Sequence, residues 1–96
     1  MADKVFPGVT PAVWACVQTT SSKEHGTVYV PPAPSNSGTA TTQYKIFFLK
    51  YDIVLTYEYD GSNNLSYTVV EIQGPATESE VWGGIGQTIS GCGGPG

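Results

Sequence analysis

The chain has 96 residues, of which 40% are hydrophobic and 12% charged, and its formal net charge is −4. This length gives one core and no room for a second, and the composition excludes a disordered chain. All four basic residues are lysines (Lys4, Lys23, Lys45 and Lys50) and arginine is absent, which excludes the clustered, arginine-bearing surface that nucleic-acid binding requires.

No apolar run approaches the roughly 18–20 residues needed to cross a bilayer, so a membrane is not among the expected partners. The start, Met1-Ala2-Asp3-Lys4-Val5-Phe6-Pro7, lacks the apolar stretch of a signal peptide. The expected location is the cytoplasm if Met1 is native, and a secreted or periplasmic one if a leader was removed.

Thr10-Pro11 opens the first predicted element, because threonine caps a helix and proline suits its first turn. Val13, Trp14, Cys16 and Val17 then recur at helical spacing, and Gly26 is a natural stop. A helix is predicted over about 11–24. Thr27 to Val30 reads as a short strand ended by Pro31-Pro32. Pro31 to Gly38 is expected to be a plain extended loop, its Pro-x-x-Pro lacking the arginine of an SH3 ligand.

Gly38 to Leu49 is β-rich. In Tyr51 to Tyr59 the residues Ile53, Leu55, Tyr57 and Tyr59 alternate with Val54, Thr56 and Glu58, the period of a half-buried strand. Asp60 to Asn64 is dense in turn-forming residues, and Leu65, Tyr67 and Val69 resume the phase beyond it. Pairing Tyr59 with Leu65, Tyr57 with Tyr67 and Leu55 with Val69 puts every partner on one face. Gly74-Pro75 ends the sheet, which spans about 27–73. Thr77-Glu78-Ser79-Glu80 forms a capping box ahead of an apolar stripe of Val81, Ile85 and Ile89, with Trp82 beside it. A second helix is predicted over about 78–90.

The fold expected is a single α+β domain over 1–96, a two-layer sandwich. A four-stranded antiparallel sheet carries the N-terminal and C-terminal helices packed on one face. The tyrosines Tyr57, Tyr59 and Tyr67 belong to its core, while Tyr29, Tyr44 and Tyr51 have no assigned facing.

The chemistry-bearing residues are few. His25 beside Glu24 is the lone histidine and reads as a cation at a helix C-terminus. Cys16 and Cys92 stand at opposite ends of the chain, either bonded to each other or both buried as free thiols. No zinc spacing, nucleophile elbow or Ser-x-x-Lys occurs, so no catalytic, metal or cofactor residues are assigned. Glu58 and Asp60 read as solvated charges at the hairpin end. Asp52 and Glu71 are the inward-facing acids, Glu71 at the rim of the core face, where burial would raise its pKa. Gly83-Gly84-Ile85-Gly86 lacks the preceding strand and following lysine of a phosphate loop. It is expected to permit close backbone approach, with a glycine-lined pocket as the alternative. Asn64-Leu65-Ser66 matches a glycosylation sequon by chance.

The pattern Val13-Trp14-x-Cys16 near the start, with Val81-Trp82 and Cys92 near the end, resembles small uncharacterised bacterial proteins with an α-β4-α layout. That resemblance implies the fold and carries no activity. The function expected is non-enzymatic protein binding of the inhibitor or immunity type, by a monomer or weak dimer. The partner face is drawn from Val54, Thr56, Glu58, Thr68, Val70 and Ile72, with sheet edges as a second possibility. Two alternatives stand beside it: an exported structural or surface protein stapled by Cys16–Cys92, and a small-ligand binder or isomerase-like enzyme using Glu71 or Asp52.

Overall fold

The structure, a computed structural model, describes residues 3–95. Seven elements follow in order: β1 (Asp3–Phe6), α1 (Pro11–His25), β2 (Val28–Val30), β3 (Ser37–Ile46), β4 (Leu49–Tyr59), β5 (Leu65–Ile72) and α2 (Glu78–Gly91). The strands form one five-stranded sheet in the order β1-β5-β4-β3-β2, with every pairing antiparallel. The expected fourth strand therefore has a neighbour, and the sheet is wider by one than the sequence indicated. β1 is only four residues long. It holds its place by docking on the edge of β5, where Phe6 lies opposite Leu65 and meets the Tyr67 ring edge-on at 6.1 Å.

Both helices form for the reasons their ends announce. The Thr10 hydroxyl accepts from the Val13 amide at 3.3 Å, Pro11 follows it, and Gly26 closes α1 in the left-handed conformation at φ 66°. The Thr77 hydroxyl accepts from the Glu80 amide at 3.3 Å, while the Thr77 amide donates to the Glu80 carboxylate at 3.1 Å. These are the two halves of a capping box. Val13, Trp14, Val17 and Gln18 form the buried stripe of α1. In α2 only Ile89 is fully buried, with Val81, Trp82 and Ile85 half-buried against the core.

The core is aromatic at its centre. Trp14 packs against Tyr29, Tyr57 and Tyr59 with ring centroids 6.3, 5.5 and 5.8 Å away, and Trp82 lies 6.5 Å from Tyr67. Tyr57 and Tyr67 are cross-strand partners, so the two helices cover the same face of the sheet. Burial pushes the Tyr67 phenol far above the ordinary tyrosine range. Tyr29 is thereby assigned to the core, while Tyr44 and Tyr51 stack on each other at 5.3 Å near its margin.

The β4–β5 register is the one the alternation dictates: Tyr59 with Leu65, Tyr57 with Tyr67, Leu55 with Val69. It then breaks at a bulge that leaves Val70 unpaired and sets Glu71 opposite Val54 and Ile72 opposite Ile53. One extra residue exchanges the faces of everything beyond it. Glu71 turns outward and is exposed, so it does not rim the core. Ile72 joins Ile53 on the helix side and leaves the proposed partner face. Asp52 also points outward, paired with Gln43.

The β-rich stretch read as running from Gly38 to Leu49 is interrupted by a two-residue turn at Phe47-Phe48, with Ile46 opposite Leu49. β2 pairs with β3 only over Thr39 to Thr41, and β5 reaches only Ile53 of β4. The β3–β4 hairpin thus runs on past its neighbouring strands as a finger. Its base is held by the segment after β5, through Tyr44 and Asp52 bonded to Gln73 and Ala76, and only its tip, Lys45 to Lys50, stands clear.

Candidate binding surfaces

His25, the Asp52–Glu71 pair and Asp60 sit in different parts of the fold. His25 is exposed at the end of α1 and lines a cleft of about 360 Å³ between the helices with Glu24, Thr20, Gly84, Gln87 and Thr88. Asp52 and Glu71 face solvent and are linked through Gln73, whose side chain donates to Glu71 at 3.3 Å and accepts from the Asp52 amide at 3.0 Å. Asp60 is a turn residue: one carboxylate oxygen accepts the amides of Ser62, Asn63 and Asn64 at 2.8, 2.8 and 3.1 Å. Those amides, Asn63's first, hold its pKa down to about 2, the wrong direction for a proton donor near neutrality. Among the described residues no group of three or more His, Cys, Asp or Glu converges as metal ligands would.

Cys16 and Cys92 are joined as a disulfide, with Cα atoms 5.7 Å apart. The bond ties the middle of α1 to the C-cap of α2, and the Thr20 hydroxyl lies 3.8 and 3.7 Å from the two sulfurs. Neither sulfur is available to His25 as a nucleophile. Side chains added at Gly83 and Gly84 would meet open space, which corrects the expectation of close backbone approach there. Instead Gly84 borders both the interhelical cleft and a smaller, mostly apolar pocket of about 200 Å³, walled by Ile53, Leu55, Val81 and Ile85.

The residues that sequence reasoning passed over are Gln18 and Ser35. Gln18 is 2% exposed. Its amide nitrogen donates to the Ser35 carbonyl at 3.0 Å, its oxygen accepts from the Ser35 amide at 3.3 Å, and Trp14 Nε1 donates to the same carbonyl at 3.0 Å. The Ser35 hydroxyl also bonds the Tyr57 hydroxyl. The proline-rich loop is therefore pinned to α1 and β4, not merely extended between strands. Side chains take up the backbone groups of Ser35 and the Pro31 carbonyl, and the Asn36 carbonyl accepts from the Tyr59 amide of β4. Two residues further along β4, the Tyr59 hydroxyl donates to the Val9 carbonyl at 2.7 Å, fixing the segment that leads into α1. Asn64, of the sequon, is exposed at the end of the Asp60 turn.

The sheet face turned away from the helices is covered by neither of them. Its cross-strand rows follow from the register. One runs Val30, Thr39, Thr56, Thr68, Asp3. A second runs Val28, Thr41, Val54, Glu71, and a third Ser37, Glu58, Ser66, Val5. Val5, Val28 and Val30 are 53, 60 and 63% exposed, and Val70 at the bulge is 50% exposed. Of the predicted partner-face residues, Val54, Thr56, Glu58 and Thr68 are brought together here. The surface is β-branched at its centre, carries Asp3, Glu58 and Glu71 around that centre, and continues toward the hairpin tip through Gln43–Asp52 and the Lys45–Lys50 pair.

The chain matches no family model, and neither the curated proteins nor the solved structures yield a similar protein.

Proposed function

We propose that this chain is a non-catalytic protein-binding domain that engages its partner through the outer face of the sheet. The observation that carries this reading is that face itself: rows of valine and threonine, uncovered by either helix, with carboxylates as their charged members. Exposed valines stand on both edge strands, Val5 on β1 and Val28 and Val30 on β2, with threonines on the strands between, and such uncovered apolar positions on a small domain suit a protein contact. Stiff β-branched side chains also lose little rotamer freedom when covered. The complementary partner is a protein whose apolar patch is ringed by lysine or arginine, and acidic steering speeds such an encounter. An inhibitor or immunity protein has this character, because it needs a rigid surface and no chemistry of its own.

Capture from native-cell extract and culture fluid tests the reading. The folded domain and its Thr56→Lys/Thr68→Lys variant serve as parallel baits. A stoichiometric partner on the parent bait is expected to fall at least about ten-fold on the variant, as like charge enters the face of a basic partner. A partner held equally by both baits would place the interface elsewhere.

The Cys16–Cys92 bond favours a second reading, an exported structural or surface protein, because disulfides persist in oxidising compartments. Alkylation followed by intact-mass measurement on protein from its native cells distinguishes the two cases. Free thiols there would remove the support for export.

A further inference from the structure

We propose that the tip of the β3–β4 finger inserts into a lipid bilayer, seating Phe47 and Phe48 in the hydrocarbon with Lys45 and Lys50 at the phosphates. Phe47 and Phe48 are 90 and 85% exposed, the two most exposed large apolar residues described, and Ile46 and Leu49 beneath them are 38 and 50% exposed. Nothing in the fold requires them there. Phe47 is the one non-glycine residue described with a positive φ, at 56°. It opens a two-residue hairpin turn, where glycine, asparagine or aspartate are the residues that fit without strain. A phenylalanine at that position works against local backbone preference and leaves its ring in water, so its value lies in what the ring meets outside the domain.

The order of side chains along the finger matches the order of layers in a bilayer. Behind the phenylalanines and the Ile46–Leu49 pair comes Lys45 opposite Lys50, and behind these Tyr44 opposite Tyr51. At about 3.4 Å per residue the lysines lie about 7 Å and the tyrosines about 10 Å back from the turn. That is the depth over which interfacial segments bury their apolar face, with ammonium groups reaching the phosphates and aromatic rings at the headgroup level. Two lysines directly opposite each other repel in an isolated sheet, and anionic phosphates relieve that repulsion. They are half of the basic residues in a chain of net charge −4. The tip from Lys45 to Lys50 also projects past the neighbouring strands, while Tyr44 and Asp52 at its base are bonded to Gln73 and Ala76. A rigid base thus presents a protruding tip that a fluid bilayer accommodates without a preformed groove. A segment long enough to span the membrane is not needed for this mode of attachment.

Co-sedimentation with vesicles of phosphatidylcholine and phosphatidylglycerol in equal parts, and of phosphatidylcholine alone, tests the proposal. The parent domain is expected to bind the mixed vesicles. Phe47→Gly/Phe48→Ser should weaken binding by at least about 100-fold, the partition lost with two rings. Lys45→Gln/Lys50→Gln should weaken it about 30-fold on the mixed vesicles at low salt and little on the neutral ones. The Phe48→Trp indole should be quenched by lipids brominated in their acyl chains. Near-ultraviolet circular dichroism confirms that each variant remains folded, and Phe47→Gly should unfold at a higher temperature than the parent. Absence of binding at millimolar lipid, or binding that survives Phe47→Gly/Phe48→Ser, would overturn the proposal. So would a concentration-dependent dimer that the same double variant dissolves while vesicles remain unbound, since the occupant would then be a second copy of the chain. The outer-face reading stands independently, because the tip variant should retain any partner that Thr56→Lys/Thr68→Lys loses.

Discussion

Gln18 opens directly onto a run of small polar residues, Thr19 to Ser22, and on sequence alone it looks like part of a solvated helix surface. Its position one turn beyond Trp14 puts it on the buried stripe of α1, and its amide matches the backbone of Ser35 at both ends. Helical spacing says where a face points, but a polar residue on that face becomes legible only when its partner is known. Gln18→Ala should destabilise the domain by about 1–3 kcal/mol, because the Ser35 amide is left without that partner, a loss that urea denaturation measures. Asp60 makes a different prediction. Its folded pKa is depressed to about 2, first by the Asn63 amide and then by those of Ser62 and Asn64. It therefore contributes stability above the unfolded carboxylate range, and that contribution is lost as pH falls through the folded value. Asp60→Asn should be less stable than the parent at pH 7, and urea midpoints for the two should converge near pH 2.

At the scale of the elements, what was legible depended on whether local chemistry and tertiary packing agreed. The caps of α1 and α2 and the first half of the β4–β5 hairpin could be read directly, because Thr10, Gly26, Thr77, Glu80 and the tyrosine alternation each specify one geometry. The bulge was hidden because Val69 and Val70 are both valine, so the pattern fits either phase. Moving Glu71 and Ile72 to the opposite faces depended on that one residue. β1 was hidden because four residues carry no usable period, and Phe6 declares itself only against Tyr67. The turn at Phe47-Phe48 has none of the residues that signal one, and for that reason the finger was missed. Gly38 shows the opposite case: at φ 149°, with the Val30 carbonyl where a Cβ would sit, only glycine fits the crossing of β2 and β3. Phe47→Gly should raise stability by about 1 kcal/mol, the cost of a left-handed non-glycine residue, read as an increase in the unfolding midpoint.

For the molecule as a whole, a small core is reinforced by a covalent bond between its ends. Cys16 and Cys92 are 76 residues apart in sequence, and in the chain-entropy account closing so long a loop stabilises the fold by about 4–5 kcal/mol. α2 needs this support most, since Ile89 is its one fully buried side chain. Cys16→Ser/Cys92→Ser should lower the thermal midpoint by about 15–30 °C, and amide exchange should show α2 opening before the sheet. With both helices held to one face, the other is the surface proposed to bind. The central claim is that this outer face is the binding surface, and threonine-methyl NMR of the captured complex tests it most directly. If the claim holds, Thr39, Thr41, Thr56 and Thr68 shift on binding while Thr19, Thr20 and Thr88 on the helices do not; shifts confined to the helical threonines would contradict it.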